Sequence, residues 1–344
     1  MKLKLCVAAA AALGCSTASA ATLAELATKV EASGWISGSY IYNTNGEDNI
    51  GRATDIESNS FTLNQAVLNL ISAPEEGFGG GVQLLAGNDA ATIVNPSYGD
   101  GDDKFSLPEA YLTYASGALT IKAGRYGTLA GYEVLSDAAN PLLSRSLQFP
   151  AAEPYFHTGV RASYAASDAT TFYLGVNNSA ALGSSVDADD QKTVEFGVST
   201  ALSDAVTFAI YDYYGTDSEV RTNFLDVVGG LTLSESFSLG INVDYFTAED
   251  TVDVLGIAGY ATMKLSPTVS ATLRLENLDV DPDGGDKNTI QAATLAVGYT
   301  PTSDFRLLFE GRVDSSDDEI YVKDDGTTDT QPTFGVKAIY SFGL

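Results

Sequence analysis

The feature that most narrows the fold of this chain is a hydrophobic period of two, sustained over long segments. Phe237, Leu239, Ile241, Val243 and Tyr245 alternate with Ser238, Gly240, Asn242 and Asp244. Val194, Phe196 and Val198 alternate with Thr193, Glu195, Gly197 and Ser199. Val269, Ala271, Leu273 and Leu275 alternate with Ser270, Thr272, Arg274 and Glu276. Phe305, Leu307, Phe309, Gly311 and Val313 alternate with Arg306, Leu308, Glu310 and Arg312. Successive side chains of a strand point to opposite faces, so each segment is a strand with one apolar and one polar face. A soluble sandwich would share that alternation. Its strands average only ~5–6 residues, however, whereas segments of about ten suit a tilted crossing of a bilayer.

The connections alternate as well. Short ones fall at Pro74–Gly77, Ser116-Gly117, Ser167-Asp168, Ser203-Asp204, Ser234-Glu235, Ser266-Pro267 and Thr302-Ser303. Between them lie longer, mostly acidic stretches at 44–58, 89–104, 128–155, 180–191, 215–222, 247–252, 279–288 and 315–331. Tight turns on one side and long loops on the other define a hairpin meander with an even number of strands, about sixteen here. In lipid every backbone N–H and C=O must be paired internally, and only a helix or a closed sheet achieves that. Beyond the N-terminus no apolar run approaches the ~18 residues of a spanning helix. The sequence therefore predicts an all-β, transmembrane, antiparallel up-and-down β-barrel over 34–344, with apolar faces toward lipid and polar faces toward a water-filled lumen. A barrel of eight strands fills its interior with side chains, but sixteen leave a channel. Tyr40, Tyr42, Tyr213, Tyr214, Tyr245 and Phe342 are candidates for the aromatic girdles at the membrane interfaces. Phe334, Val336, Ala338, Tyr340 and Phe342 alternate to the end of the chain, although Gly343-Leu344 follow where such barrels usually end on an aromatic residue.

The N-terminus speaks to compartment. Met1–Lys4 is basic, Leu5–Leu13 is apolar, and Ala18-Ser19-Ala20 is a small-x-small cleavage signal, which together read as a secretory signal peptide over 1–20. A lipoprotein cut before Cys15, after Ala12-Leu13-Gly14, competes with it. Either removes Cys6, and the ordinary cut removes Cys15 too, so the mature chain has neither a disulfide nor a cysteine metal site. Residues 21–33 carry Leu23, Leu26 and Val30 at helical spacing with a Glu25/Lys29 pair, and read as a short periplasmic helix or a loose leader. The net charge of −27 argues against nucleic acid as a partner and favours solubility during export. These features place the chain in a bacterial outer membrane, in contact with lipid and lipopolysaccharide.

Several stretches resemble the beta-barrel porin-2 (OmpL-like) family: Gly34–Tyr40 with Asn43, Asn59–Ala66, Glu109–Leu112, Lys122–Tyr126 leading into Gly131-Tyr132-Glu133, then Asn140, Ser144-Arg145-Ser146, Pro154 and His157–Arg161. The resemblance is densest over 34–178 and thins to plain alternation afterwards. It implies an outer-membrane porin passing small hydrophilic solutes or ions, without naming a ligand, and a homotrimer is the expectation for sixteen-stranded porins.

Within that frame the third long loop, 128–155, is the strongest functional candidate. Val134, Leu135, Leu142, Leu143, Leu147 and Phe149 call for burial, and Pro141, Pro150 and Pro154 stiffen the segment. A loop with apolar anchors does not wave in solvent, so it is expected to fold into the barrel and narrow the pore, the alternative being a loop packed on the rim or at a subunit interface. Glu133, Asp137, Arg145 and Glu153 are its candidate constriction residues. By alternation Lys122, Arg161, Arg274, Arg306, Arg312 and Lys337 face the lumen, as do Glu109, Glu195, Asp244, Glu276, Glu310 and Asp314. Arg125 joins them only if a bulge near Gly124 turns it inward. Opposed rows of charge would set up a transverse field, while mutual salt bridges are the plainer outcome.

Other chemistry finds little support. Asp279–Gly284 opens like a calcium loop, but Ile290 stands where a bidentate acid is required, so no metal or cofactor is expected. The single histidine, His157, would need an exposed serine and an orienting acid to be catalytic, and Ser144 and Ser146 lack a nucleophile motif. An enzyme is therefore not expected. A closed barrel serving as anchor or adhesin remains the rival to a pore.

Overall fold

In the computed structural model, residues 29–98, 102–179, 190–217 and 219–343 are described. The strands run in hairpin pairs: β1 (Glu31–Asn43) and β2 (Ser60–Ser72), β3 (Gly77–Ala86) and β4 (Phe105–Ser116), β5 (Leu119–Gly127) and β6 (Phe156–Ala165), β7 (Thr170–Asn177) and β8 (Thr193–Ser203). They continue as β9 (Val206–Asp217) and β10 (Val220–Ser234), β11 (Phe237–Ala248) and β12 (Val252–Ser266), β13 (Val269–Pro282) and β14 (Asn288–Thr302), and β15 (Phe305–Ser316). A small hairpin, β16 (Tyr321–Lys323) and β17 (Gly326–Thr328), sits in the last long loop before β18 (Thr330–Gly343). Sixteen of these, β1 to β15 and β18, form one closed antiparallel barrel in which each strand pairs with its sequence neighbours. Closure is made by β1 against β18, in register from Ser33 opposite Gly343 to Asn43 opposite Thr333.

The barrel wall is built as the alternation requires. Leu112, Leu174, Phe196, Ile241, Leu275, Leu295 and Phe334 stand exposed on the outer face. Glu195, Asn242, Asp244, Arg274, Arg312 and Lys337, from the opposite parity, are buried inside. The register shifts locally at Ser37/Gly38 against β2 and at Gln83/Leu85 against β4, and again beside the short turns at Ala201/Ser203, Thr232/Ser234, Lys264/Ser266 and Tyr299/Thr302.

Several expectations change. The barrel begins at Glu31 rather than residue 34, because Glu31–Ser33 already pair with Asn69–Ile71 of β2. The helix expected before it falls mostly on 21–28, outside the described residues, as does the signal peptide. The connections at 215–222 and 247–252 are tight rather than long. Gly215 pairs with Thr222 and Val220 with Asp217, while Ala248 pairs with both Thr222 and Val252, so the polar strand ends continue the ladder beyond the apolar belt. Tyr213 is not a girdle residue. It lies inside, fully buried, with its ring stacked 4.6 Å from that of His157. Tyr42, Tyr214 and Tyr245 are exposed on the outer face.

Candidate functional site

The third loop leaves β5 at Gly127 and returns at Phe156. Its base is closed by the Thr128 amide donating to the Tyr155 carbonyl at 3.0 Å. From there it crosses the barrel. The Gly131 amide donates to Asp226 of β10 and the Tyr132 amide to Asn242 of β11, at 3.1 and 2.8 Å. The Tyr132 ring stacks on Tyr260 of β12 at 4.1 Å. Gly131 has φ +93°, a backbone turn that glycine adopts without strain.

The middle of the loop is fastened to the opposite wall by charge. The amides of Leu143 and Ser144 donate to Glu310 of β15, at 2.7 and 3.1 Å, and the Leu147 amide donates to Glu276 of β13 at 2.6 Å. Arg274 of β13 donates to Glu133 at 2.6 Å, to Glu276 at 2.7 Å and to the carbonyls of Ser144 and Arg145. Arg312 donates to the Arg145 carbonyl at 2.5 Å and to Asp314 at 2.6 Å. Asp137 accepts from Ser37 of β1 at 2.6 Å, from Lys337 of β18 at 2.8 Å and from Arg145 at 2.9 Å, while its amide donates to Gln65 of β2. Arg306 donates to the Asp137 carbonyl at 2.8 Å. A hydrogen bond with a charged partner contributes about 1.5–3 kcal/mol, so this many of them fix the loop's path firmly.

The apolar anchors act beside the ionic ones. Leu142, Leu143, Leu147 and Phe149 are buried, and Leu135 packs at the edge of the core. Phe149 meets Ala53 of the first loop and Ile93 of the second, so the first three loops pack together inside the mouth. Val134 departs from expectation: it is 43% exposed and lines a cavity.

Of the candidate lumen residues, Arg274, Glu276, Glu310, Arg312 and Lys337 all meet the third loop. Arg161 is fastened instead to the wall, where Glu195 accepts from its Nε and Nη2 and its guanidinium lies 4.5 Å from the Tyr126 ring centroid. Lys122 stands 4.0 Å over the Tyr111 ring, and Glu109 lines the cavity named above. Arg125 falls on the outward parity. The register runs unbroken through Gly124, with Arg125 opposite Ala110 and Thr158, so no bulge turns it inward. The charges do not form open, opposed rows. Glu133 and Asp137 meet barrel cations, but the partners are buried against one another rather than facing across water. Glu153 meets acids: burial and the neighbouring Asp226 push its carboxyl well above the ordinary range.

Sequence reasoning passed over Ser37, Gln65, Asp226 and Tyr260. The alternation puts Ser37 and Gln65 inward, but nothing local says that a loop 70 or more residues away in sequence comes to meet them. His157 shares a hydrogen bond with Thr128, while Ser144 accepts from Arg274 and Arg312, so the histidine and the serine do not form a catalytic pair. Asp279 is bonded to Lys287 and Thr289, and among the described residues no three acids, histidines or cysteines are placed to hold a metal ion.

A closed sixteen-stranded barrel with an apolar outer belt and a long loop folded through its lumen defines an outer-membrane porin. The chain belongs to the family described as "Putative beta-barrel porin-2, OmpL-like", whose profile matches residues 29–342. Comparison with curated protein sequences finds no match. Among solved structures, the trimer form of OmpT, an outer membrane protein of Vibrio cholerae, superposes with a TM-score of 0.64 at 13% identity, covering 91% of this chain and 99% of that one. The outer membrane channel DcaP of Acinetobacter baumannii gives 0.63 at 15% identity, covering 91% and 97%. An anion-selective porin from Comamonas acidovorans gives 0.63 at 10% identity, covering 91% and 99%.

Proposed function

We propose that residues 128–155 form the constriction of this porin, and that small polar solutes and ions diffuse through the space left beside the loop. The observation that carries this reading is the span of the loop. It is rooted between β5 and β6 yet bonded to Glu276, Glu310 and Lys337 on the far wall. Glu133, Asp137, Arg145 and Glu153 then act at the narrowest level, with Glu109, Lys122 and Arg161 on the facing wall. Deleting 134–149 should raise single-channel conductance in a planar bilayer several-fold, and an unchanged conductance would refute the constriction.

The density of the network favours a second reading. Arg145, Arg274 and Lys337 are all buried to 1% exposure or less, as in a closed structural barrel. The same recording separates the two, because a closed barrel passes no current until the loop is removed. Export by a cleavable signal over 1–20, contact with lipopolysaccharide at the long loops, and assembly as a homotrimer complete the proposal. Native mass spectrometry of the detergent-extracted protein tests the trimer.

A further inference from the structure

Between the third loop and the wall formed by β1 to β5 lies a cavity of about 170 Å³. Its lining is mostly ring and aliphatic carbon, including Trp35, Leu135, Phe149 and Tyr155, and Glu109 and Glu153 also line it. Glu133 lines it as well, and is engaged by Arg274 and by the Ser146 amide. Among the described residues no lysine, arginine or histidine lines it. In volume it is close to the roughly 150 Å³ void that accepts a benzene ring.

Glu153 is the group that asks for a partner. It is 6% exposed, and the carboxyls of Asp244 and Asp226 lie beside it, so three buried acids are set together. No ion pair among the described residues includes any of the three. Glu153 Oε1 and Asp244 Oδ2 are buried without an amide, hydroxyl or cationic donor. Acids set against acids in a buried site hold protons in place of a cation. The aromatic walls add a second attraction, since ring faces draw cations most strongly where water is excluded.

We propose that this cavity is a binding subsite for small organic cations: a primary ammonium on a body about the size of one ring, with the ammonium at Glu153 and the body against Trp35, Phe149 and Tyr155. The proposal rests on the porin reading and names the solute class that its constriction favours. An arriving ammonium displaces the proton held at Glu153, and the charge of the carboxylate is then matched.

Trp35 is the only tryptophan in the chain, so its fluorescence reports this cavity alone. The refolded full-length mature protein in detergent is titrated with benzylammonium, benzyl alcohol and benzoate. A saturable change is expected for benzylammonium, at least about tenfold tighter than for the neutral and anionic analogues. Glu153→Gln keeps the shape and hydrogen bonding of the protonated acid. It should weaken benzylammonium about tenfold and leave benzyl alcohol unchanged. Glu109→Gln, read the same way, covers the case in which the first variant does not fold. Equal responses to the three probes, or a benzylammonium response that neither variant weakens, overturns the proposal. Planar-bilayer current separates it from the reading beneath it. Current without selective binding sinks the subsite alone, and selective binding without current sinks the pore alone.

Discussion

Asp137 is a junction in the third loop's attachment, because three donors from different parts of the molecule converge on its carboxylate. Burial opposes its ionisation, but Lys337 and Arg145 outweigh that and hold its carboxyl below the ordinary range. Asp137→Asn would leave Lys337 and Arg145 in the interior without their counter-charge, and breaking a buried pair in this way costs about 3–5 kcal/mol. The thermal unfolding midpoint in detergent should drop clearly, and channel noise should rise as the loop loosens. Asp89, in the second loop, has the opposite character. Burial, reinforced by the Asp137 carboxylate, pushes it up to about 8, and Gln65 donates to it at 2.7 Å. An unfolded aspartate ionises near ~3.9, so between that value and about 8 the folded state holds a proton that the unfolded chain has lost. Stability must therefore fall as pH rises through this window and level off above it. Lys337 and Arg145 moderate the effect but do not cancel it. Melting curves from pH 5 to 9 should show the decline in the native protein and a shallower one in Asp89→Asn.

At the scale of elements, the first three loops brace one another. Phe149 sits in a helical turn, Gln148–Ala151, and packs on Ile93 from the second loop and Ala53 from the first. Phe149→Ala should cost about 3–5 kcal/mol locally. Because the barrel ladder is untouched, limited proteolysis should cut within 134–149 more readily while the heat-modifiable gel mobility of the folded barrel is unchanged. This division mirrors what the sequence discloses. Strands announce themselves through alternation, which depends only on near neighbours, and Phe237–Tyr245 or Phe305–Val313 can be assigned a face without knowing what lies across the barrel. The connections at 215–222 and 247–252, which lack apolar alternation, are strand ends that continue beyond the apolar belt. There Thr216, Asp217 and Thr247 keep their backbone pairing while the apolar signal has gone. The third loop betrays its burial through Leu142, Leu143, Leu147 and Phe149. Its landing points, Glu276 and Glu310 among the lumen charges but also Ser37, Gln65 and Asp226, are set by packing between segments far apart in sequence, which no local pattern encodes. Arg125 shows the limit from the other side: plain alternation points it outward, and the unbroken register at Gly124 keeps it there.

For the molecule as a whole, stability depends on a ring with no free edge, since unpaired backbone groups in lipid cost several kcal/mol each. Strand β18 is hydrogen-bonded to β1 on one side and β15 on the other. Truncation before Thr330 would expose both neighbours at once. It should abolish the folded, heat-modifiable form on semi-native gels rather than merely lower its melting temperature. The seam between the first and last strands is also bridged from above. The Thr44 amide donates to the Pro332 carbonyl at 3.0 Å, Asn45 donates to the Thr330 carbonyl at 2.8 Å, and Ile50 and Gln331 bond to each other twice. Arg52 completes the strap by reaching Asp314 of β15 at 2.7 Å. The first loop thus works as a clasp over the joint where the first and last barrel strands meet, and it is the wrong place to graft an epitope or a fluorophore. An insertion between Asn45 and Arg52 would prise at the fastening itself. One at Gly284, where an added methyl group would touch nothing within 4 Å, would decorate the rim and leave the joint shut.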